Sequence, residues 1–322
     1  MRFAAGAALA TLAAVASAQS GTQSFPTRPI RVIVPNTAGS ATDIAARLVA
    51  QRLAESMGQQ TVVDNRAGAS GLIGHEIAMK AMPDGYTVLV STSAGLVLNP
   101  MLTKVTYDPL RDFVPISLIV ISPQMLFSYM GLAAKTVDEL VTLARAKPGQ
   151  LNCASPGWGT SNHLGCEMIM TMTGVKFVHV PYKGTAPAIS DVVGGQVQFM
   201  FNSMPAIIPL VKAGKLRAIA HGGTKRSPAM PDLPLVAETL PGFQTITWYA
   251  LVGPRGMPKE IVARFNAEIA KMFADAAFSQ RVTDLGQEPQ PTSPEGLLAH
   301  MRAENERWSK VIKLAGLNKL ER

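Results

Sequence analysis

The chain has 322 residues, of which 47% are hydrophobic and 16% are charged. This balance predicts a large packed core and excludes a disordered chain, and at about 150 residues per domain the length predicts two domains. The formal net charge is +8, but the Lys and Arg residues are scattered and no dense basic run alternates with aromatic residues. The sequence therefore gives no indication of nucleic-acid binding. A solvated basic surface accounts for most of the charge.

Residues 1–18 have the pattern of a secretory signal peptide. Arg2 supplies the positive start, residues 3–15 are apolar, and Ala16, Ser17 and Ala18 form a small-residue cleavage site. No cysteine follows that site, and no other apolar run approaches the ~20 residues of a membrane span. We therefore expect cleavage after Ala18 and a mature protein that is exported to the periplasm.

The first part of the chain alternates strands with helices. β-branched runs predict strands at 30–34, 61–64 and 86–91. Apolar residues at helical spacing predict one helix after Ser40 and another at 72–82. Ser40, with Asp43 three residues later, resembles a capping box. This order of elements predicts a parallel sheet with right-handed crossovers.

A long extended run at 113–121 changes the character of the sequence, and we interpret it as a crossing between two lobes. After this run the alternation resumes. It predicts helices at 137–146, 163–172, 186–194 and 206–213, and strands at 151–155, 176–181, 197–201 and 216–220. Residues 222–242 are predicted as loops, and the chain then returns in a strand at 247–252 and helices at 258–274 and 294–314.

We therefore predict an α/β fold of two lobes joined by crossing strands, with a ligand cleft between them. Lobe 1 is predicted to comprise residues 25–118 and 246–322, and lobe 2 residues 119–245. In open α/β sheets, ligands bind beyond the carboxyl ends of the strands. The cleft is accordingly expected at the loops that follow the strands.

Small polar residues follow several predicted strands. For any single loop, ordinary turn chemistry explains the Gly, Ser and Asn residues. Their repetition after successive strands favours a site where backbone N–H groups, hydroxyls and amides bind an oxyanion such as a carboxylate. The candidate ligand-binding residues are Asn36, Thr37, Ala38, Gly39, Ser40, Ala41, Thr92, Ser93, Ser155, Gly157, Trp158, Gly159, Thr160, His163, Tyr182, Lys183, Gly184 and Asn202.

The sequence predicts no catalytic residue, metal site or cofactor. Ser155 followed by His163 leaves a hydrolase open as an alternative, although no G-x-S-x-G elbow is present. The glycines at 68, 71 and 74 have G-x-x-G-x-x-G spacing, which does not match the dinucleotide fingerprint. Asp43 could contact a ligand amine, but we favour a role in capping the helix.

Two cysteines, Cys153 and Cys166, lie in a predicted strand and in the helix that follows it. In an oxidising compartment they could form a disulfide. They could equally be two small buried apolar side chains. Their spacing matches no zinc pattern, so the sequence leaves pairing and separate burial open.

Ordered motifs along the mature chain resemble a known family. The most distinctive is His-Val-Pro-Tyr-Lys-Gly at 179–184; others are Val-Val-Asp-Asn-Arg at 62–66, Pro-Asp-Gly-Tyr-Thr at 83–87, Lys-Pro-Gly at 147–149 and Pro-Asp-Leu-Pro at 231–234. Together they are similar to the Bug-type extracytoplasmic solute receptors of tripartite tricarboxylate transporters. The resemblance implies a two-lobed periplasmic binding protein that closes on a small organic anion and delivers it to a membrane permease.

The resemblance also implies which loops hold the carboxylate. They correspond to residues 37–41 in one lobe and to 155–163 and 182–184 in the other. The family's first loop usually carries an aromatic residue followed by Pro-Gly-Gly, whereas this chain has Asn36 and then Ala38, Gly39 and Ser40. Because Asn36 and Ser40 add polar groups, the ligand remains open among di-, tri- and aromatic carboxylates and amino acids.

We predict a monomeric, non-enzymatic receptor for a small organic carboxylate, with a tripartite tricarboxylate-type permease as its membrane partner and no nucleic acid. A ligand-presenting partner of a membrane sensor is one alternative, and a periplasmic hydrolase using Ser155 and His163 is another. We also expect that a valine at Gly39 would crowd the first loop and prevent ligand binding.

Overall fold

A computed structural model describes residues 25–314. The expected signal peptide at 1–18 lies outside these residues. Within the described part of the chain, no helix is both long enough and apolar enough to cross a membrane.

The first three strands form the parallel sheet that the sequence predicts. Strand β1 (Ile30–Val34) lies between β2 (Thr61–Asn65) and β3 (Thr87–Thr92) and is parallel to both. Helix α1 (Ala41–Met57) connects β1 to β2, and α2 (Leu72–Met79) connects β2 to β3.

Hydrogen bonds at the start of helix α1 join the helix to the loop that precedes it. Ser40 is the N-cap, and its Oγ accepts a hydrogen bond from the backbone N–H of Asp43 at 3.2 Å. The Asp43 carboxylate in turn accepts from the N–H of Gly39 at 2.9 Å. The reciprocal bond of a capping box is therefore present but displaced by one residue, and it fixes the loop against the helix.

Strand β4 (Phe113–Tyr129) is much longer than the predicted run, which ended at residue 121. Its first part, from Phe113 to Pro123, pairs antiparallel with β9 (Ile246–Pro254), which also pairs with β3. Its second part, from Gln124, pairs with two other strands, β7 and β8. A proline cannot donate a ladder hydrogen bond, and Pro123 lies where β4 changes partners.

The second group of strands repeats the parallel arrangement. Strand β5 (Asn152–Ser155) lies between β6 (Val178–Pro181) and β7 (Phe199–Ser203), parallel to both, and β8 (Leu216–His221) pairs with β4. The helices are α5 (Val137–Ala146), α6 (Ser161–Thr173), α7 (Thr185–Val193) and α8 (Met204–Lys212). The two-lobed α/β fold with crossing strands is confirmed, while the lobe boundaries given above remain a prediction.

Further helices and one short strand pack against the sheet of β1, β3, β9 and the first part of β4. They are the short helices α3 (Asn99–Leu102) and α4 (Pro109–Asp112), the helices α9 (Lys259–Ala274) and α10 (Ala276–Asp284), the strand β10 (Glu288–Pro289) and the helix α11 (Pro294–Leu314). Helix α10, whose N-cap is Asp275, was not predicted from the sequence.

Two contacts link buried elements of the fold: one between β9 and α11, and one between β5 and α6. Trp248 of β9 is fully buried, and its indole N–H points at the carboxylate of Glu304 on α11, 3.3 Å away, to which the indole of Trp308 also donates. Cys153 of β5 and Cys166 of α6 form a disulfide, with their Cα atoms 6.6 Å apart. The sequence left pairing and separate burial open, and the structure has the two cysteines paired.

Candidate functional site

A cavity of about 50 Å³ lies between the lobes, at the carboxyl ends of the parallel strands. One wall comes from the loop between β1 and α1 and from residues 67, 68, 70 and 71 after β2. The opposite wall comes from the loops that follow β5, β6 and β7. Both lobes therefore contribute to the same small space, as expected for a binding cleft in an α/β fold.

The helices α1, α6, α7 and α8 begin at this cavity. The lining residues at their first turns are Ser40, Ala41 and Thr42 of α1; Thr160, Ser161 and Asn162 of α6; Gly184 and Thr185 of α7; and Asn202 and Ser203 of α8. The first N–H groups of a helix lack intrahelical partners, and its dipole places partial positive charge at that end. Four such ends around one cavity favour a negatively charged ligand.

The charged side chains agree with this preference. Among the described residues, no Asp or Glu lines the cavity, and Lys183 is the cationic side chain in its wall. Lys183 is exposed, so its charge lies toward solvent and is partly screened. Attraction of an anion therefore depends mainly on buried dipoles rather than on a buried ion pair.

Asn202 offers a hydrogen-bond donor at the cavity wall. Its side chain is 4% exposed, and its Oδ1 accepts from the backbone N–H of Ser203 at 2.8 Å and from Nδ2 of Asn162 at 3.3 Å. These two bonds fix the orientation of the amide, and Nδ2 of Asn202 has no partner within the described residues. A buried donor without a partner is costly, so a ligand oxygen would satisfy it.

The crossing strand β9 supplies buried hydroxyls to the cavity. The hydroxyl of Tyr249 lies 2.9 Å from Oγ of Ser203, and Oγ1 of Thr247 lies 2.9 Å from Oγ of Ser93. Burial raises the pKa of Tyr249, so its hydroxyl stays protonated and neutral. These contacts connect the binding cavity to the strands that join the lobes.

The structure places some of the sequence-predicted residues in the cavity wall and the others outside it. Asn36, Ser40, Ala41, Thr92, Thr160, Lys183, Gly184 and Asn202 line the cavity. The others lie outside the lining: Thr37, Ala38, Gly39, Ser93, Ser155, Gly157, Trp158, Gly159, His163 and Tyr182. Which of these residues contact a ligand remains a prediction.

Gly39 and Asp43 hold the first loop without lining the cavity. A β-carbon on Gly39 would meet nothing within 4 Å, so the expected crowding by a valine is not what the structure shows. The constraint is conformational, because Gly39 has a φ of +77°, which glycine tolerates best. The Asp43 carboxylate is occupied by Gly39 N–H, Arg47 Nε and Asn65 Nδ2, which agrees with the capping role.

Ser155 and His163 do not form the pair that the hydrolase alternative required. The Oγ of Ser155 lies 2.6 Å from Nε2 of His179, on the neighbouring strand. His163 is fully buried, accepts from the N–H of Gly159 at 3.4 Å, and stacks on His179 with ring centroids 4.0 Å apart. Trp158 packs edge-on against both imidazoles. These contacts hold the loop after β5, and none of the four residues lines the cavity.

Several residues of the cavity wall were not named individually as candidates from the sequence. Thr42, Ser161, Asn162, Thr185 and Ser203 are at the first turns of helices whose preceding loops were predicted, and Ser161 and Asn162 fall within the loop at 155–163 that the resemblance implies. The signal that could have found them is the helix start itself, since the unpaired N–H groups extend into the first turn. Gly68, Ser70 and Gly71 also line the wall. They were not predicted as site residues, because the spacing of the glycines at 68, 71 and 74 does not match the dinucleotide fingerprint.

Residues 45–317 match the family model described as "Tripartite tricarboxylate transporter family receptor". The chain belongs to this receptor family. BugT of Bordetella pertussis is 34% identical over 315 residues, which cover 96% of this receptor and 94% of BugT. The Bug-type resemblance inferred from the motifs is confirmed.

Two solved structures of similar proteins contain a ligand. Rpa4515 of R. palustris, solved with adipate, superimposes with a TM-score of 0.90 at 38% identity and covers 92% of this receptor and 100% of that chain. MatC (Rpa3494) from Rhodopseudomonas palustris, with bound malate, gives a TM-score of 0.83 at 31% identity, covering 89% and 100% of the two chains. Both ligands are small organic carboxylates.

Proposed function

We propose that the cavity of this receptor binds a small organic carboxylate directly, and that the loaded receptor delivers the ligand to a tripartite tricarboxylate-type permease from the periplasm. The observation that carries the proposal is the convergence of four helix N-termini on a cavity whose described lining contains no acidic side chain. Hydrogen bonds between an ionised carboxylate and N–H groups are among the stronger ones in proteins.

The ligands of the two similar structures support this choice of substrate class. Adipate and malate each carry two carboxylates. Two opposed sets of helix starts, α1 on one lobe and α6, α7 and α8 on the other, offer donors to both ends of such a molecule. Ligand binding that favours the closed arrangement would shift the receptor toward it and so signal loading.

The test is a thermal-shift and calorimetric titration of the mature receptor with adipate and with malate. A bound acid raises the melting temperature as its concentration rises, because it stabilises the folded state by RT ln(1 + [L]/Kd). Asn202→Asp replaces the unpaired donor by a carboxylate of the same shape. We expect this variant to lose binding by at least about 100-fold, through charge repulsion and a lost donor.

Gln60→Glu is the matched control, because it makes the same amide-to-acid change on an exposed side chain. Gln60 precedes β2, at the end of the strand remote from the cavity, so the control should bind like the native receptor. Binding of both acids by Asn202→Asp with native affinity would refute the site. Absence of any response from the native receptor to an organic-acid screen would refute the ligand class.

Export and the permease partner are tested in cells of the native host. We expect the mature receptor in the periplasmic fraction, starting at Gln19. Deletion of the receptor should abolish high-affinity uptake of the acid that it binds. Uptake that is unchanged by the deletion would contradict the delivery role.

A further inference from the structure

Residues 68–71 form a left-handed arch at the cavity wall. The φ angles are +129° at Gly68, +47° at Ala69, +54° at Ser70 and +94° at Gly71. Glycine takes such values freely, but they are unfavourable for Ala69 and Ser70, which carry a β-carbon. A backbone of this kind persists when surrounding contacts hold it, and it is characteristic of functional sites.

Two buried side chains hold the arch through its carbonyl oxygens. Nδ2 of Asn99 donates to the carbonyl oxygen of Ser70 at 2.9 Å, and Nδ1 of His75 donates to that of Gly71 at 2.8 Å. Asn99 is fully buried and His75 is 1% exposed. Since a carbonyl can only accept, Nδ1 of His75 carries the proton.

His75 is itself fixed on its other side. Its Nε2 lies 2.6 Å from Oγ of Ser91, and its ring stacks on Tyr107 with centroids 5.1 Å apart. Burial lowers the pKa of His75 to about 4, so the ring is neutral near pH 7. Although His75 touches the cavity wall, both of its nitrogens are engaged by the protein. Its influence on a ligand therefore passes through the arch.

The arch meets the opposite lobe most closely at Gly157. A β-carbon on Gly157 would lie 2.6 Å from Oγ of Ser70, closer than van der Waals contact, and one on Gly159 would lie 3.4 Å from Oδ1 of Asn99, an ordinary contact distance. Gly157 and Gly159 belong to the loop after β5, which leads into the first turn of α6 at the cavity. The arch and Asn99 therefore form the surface that this loop contacts across the cleft.

We propose that His75 and Asn99 are positioning residues that hold the arch in the left-handed form required for closure of the glycine loop at 156–160. They set the affinity of the receptor by stabilising the closed arrangement. This inference rests on the proposed function, since closure matters because it traps a carboxylate. It assigns a role to residues that the glycine spacing alone did not reveal.

The first measurement does not need a ligand. Hydrogen–deuterium exchange of the segment containing the arch is compared in the native receptor, His75→Ala, Asn99→Ala and His75→Gln. Each alanine variant should speed exchange by about tenfold, because a buried carbonyl loses its donor. His75→Gln keeps a side-chain N–H and should restore slow exchange. His300→Ala, which removes a partly buried histidine on α11, should leave the segment unchanged.

A second variant separates positioning from general destabilisation. Ala69→Gly removes the β-carbon that disfavours the left-handed arch. If His75 acts by holding that conformation, then Ala69→Gly combined with His75→Ala should regain most of the slow exchange. If His75 merely fills space in the core, the two changes should add and the double variant should exchange at least as fast as His75→Ala.

The binding measurement uses adipate and malate with the same variants. His75→Ala should raise the Kd by about tenfold, mostly through faster dissociation, because the closed state is lost more readily. His75→Gln and the double variant should recover affinity together with slow exchange. The proposal is overturned if His75→Ala leaves exchange at the arch unchanged, or if affinity falls without recovery in either rescue variant. A native receptor that responds to no acid in the organic-acid screen would refute the ligand class, while the exchange data would still decide the role of His75.

Discussion

The Oγ of Ser155 lies 2.6 Å from Nε2 of His179, yet this pair lacks what a hydrolytic nucleophile needs. Nδ1 of His179 has no hydrogen-bond partner within the described residues, so no third group orients the ring. Burial, together with the neighbouring His163, lowers the pKa of His179 to about 3. An imidazole with so low a pKa is a weak base for the serine proton.

We therefore expect no ester hydrolysis that depends on Ser155. Turnover of p-nitrophenyl esters should be at background level in both the native receptor and Ser155→Ala. The variant should instead lose about 1 kcal/mol of stability, since a buried hydroxyl bonded to His179 and to the carbonyl oxygen of Gly157 is removed. Turnover that disappears with the hydroxyl would revive the enzymatic alternative.

Much of the fold could be predicted from the sequence because the strands are short, buried and β-branched. The run at 30–34 is fully apolar apart from Arg31, and the structure places its strand within the same limits. The full length of β4 could not be predicted beyond residue 121, because Pro123 suggests an interruption there. The structure accommodates Pro123 in one strand that changes partners near it.

The site could be predicted only as far as loops that follow strands. Asn36, Thr160 and Asn202 were found in this way, and they line the cavity. Tyr249 and Thr247 were not, since nothing in a buried crossing strand indicates which side chains face a cleft. The arch at 68–71 was missed because its function lies in backbone conformation, and the fingerprint it was tested against concerns glycine spacing.

The stability of the receptor should fall as the pH falls from about 6.5 toward 4. His75 has its pKa lowered from 6.5 to about 4 by burial, so in this range the unfolded chain binds a proton that the folded receptor does not. The shift corresponds to about 3 kcal/mol for His75, lost progressively between the two pKa values and constant below the lower one. His179 and His221, whose pKa values are also lowered by burial, act in the same direction.

Urea denaturation of the native receptor and of His75→Gln across this pH range measures the effect. Glutamine does not titrate, so the variant should show a shallower loss of stability with acid, although it starts from a lower value at pH 7. Parallel curves for the two proteins would show that His75 is accessible to protons in the folded state, contrary to its burial.

The disulfide between Cys153 and Cys166 should contribute to stability more than to affinity. It closes a loop with a sequence separation of 13 residues between β5 and α6. Replacing both cysteines by alanine should lower the free energy of unfolding by about 2–4 kcal/mol, as estimated for a loop of this length. Affinity for the carboxylate should change less, because neither sulfur lines the cavity.

Denaturation of the native receptor with and without a thiol reductant provides the comparison for the double variant. The reduced receptor and the double variant should unfold at similar urea concentrations, both lower than the oxidised receptor. Equal stability of all three forms would mean that the bridge adds nothing to the folded state.

Lys183 should influence how fast the ligand arrives rather than how long it stays. Its exposed ammonium is the cationic side chain at the cavity wall among the described residues. An exposed charge attracts an anion over distances comparable with the Debye length, and salt screens it. Lys183→Gln should therefore lower the association rate constant for adipate by about 2–5-fold at low salt, with little change in the dissociation rate constant.

Stopped-flow mixing at low and high ionic strength tests this expectation against Lys147→Gln. That control removes an exposed lysine that follows α5 and does not line the cavity. The two variants share the same change in net charge, so a loss specific to Lys183 reflects its position at the cavity. If Lys183→Gln instead accelerates dissociation at every salt concentration, the ammonium contacts the bound carboxylate. The buried helix N-termini would then share the binding of the anion with a side-chain ion pair.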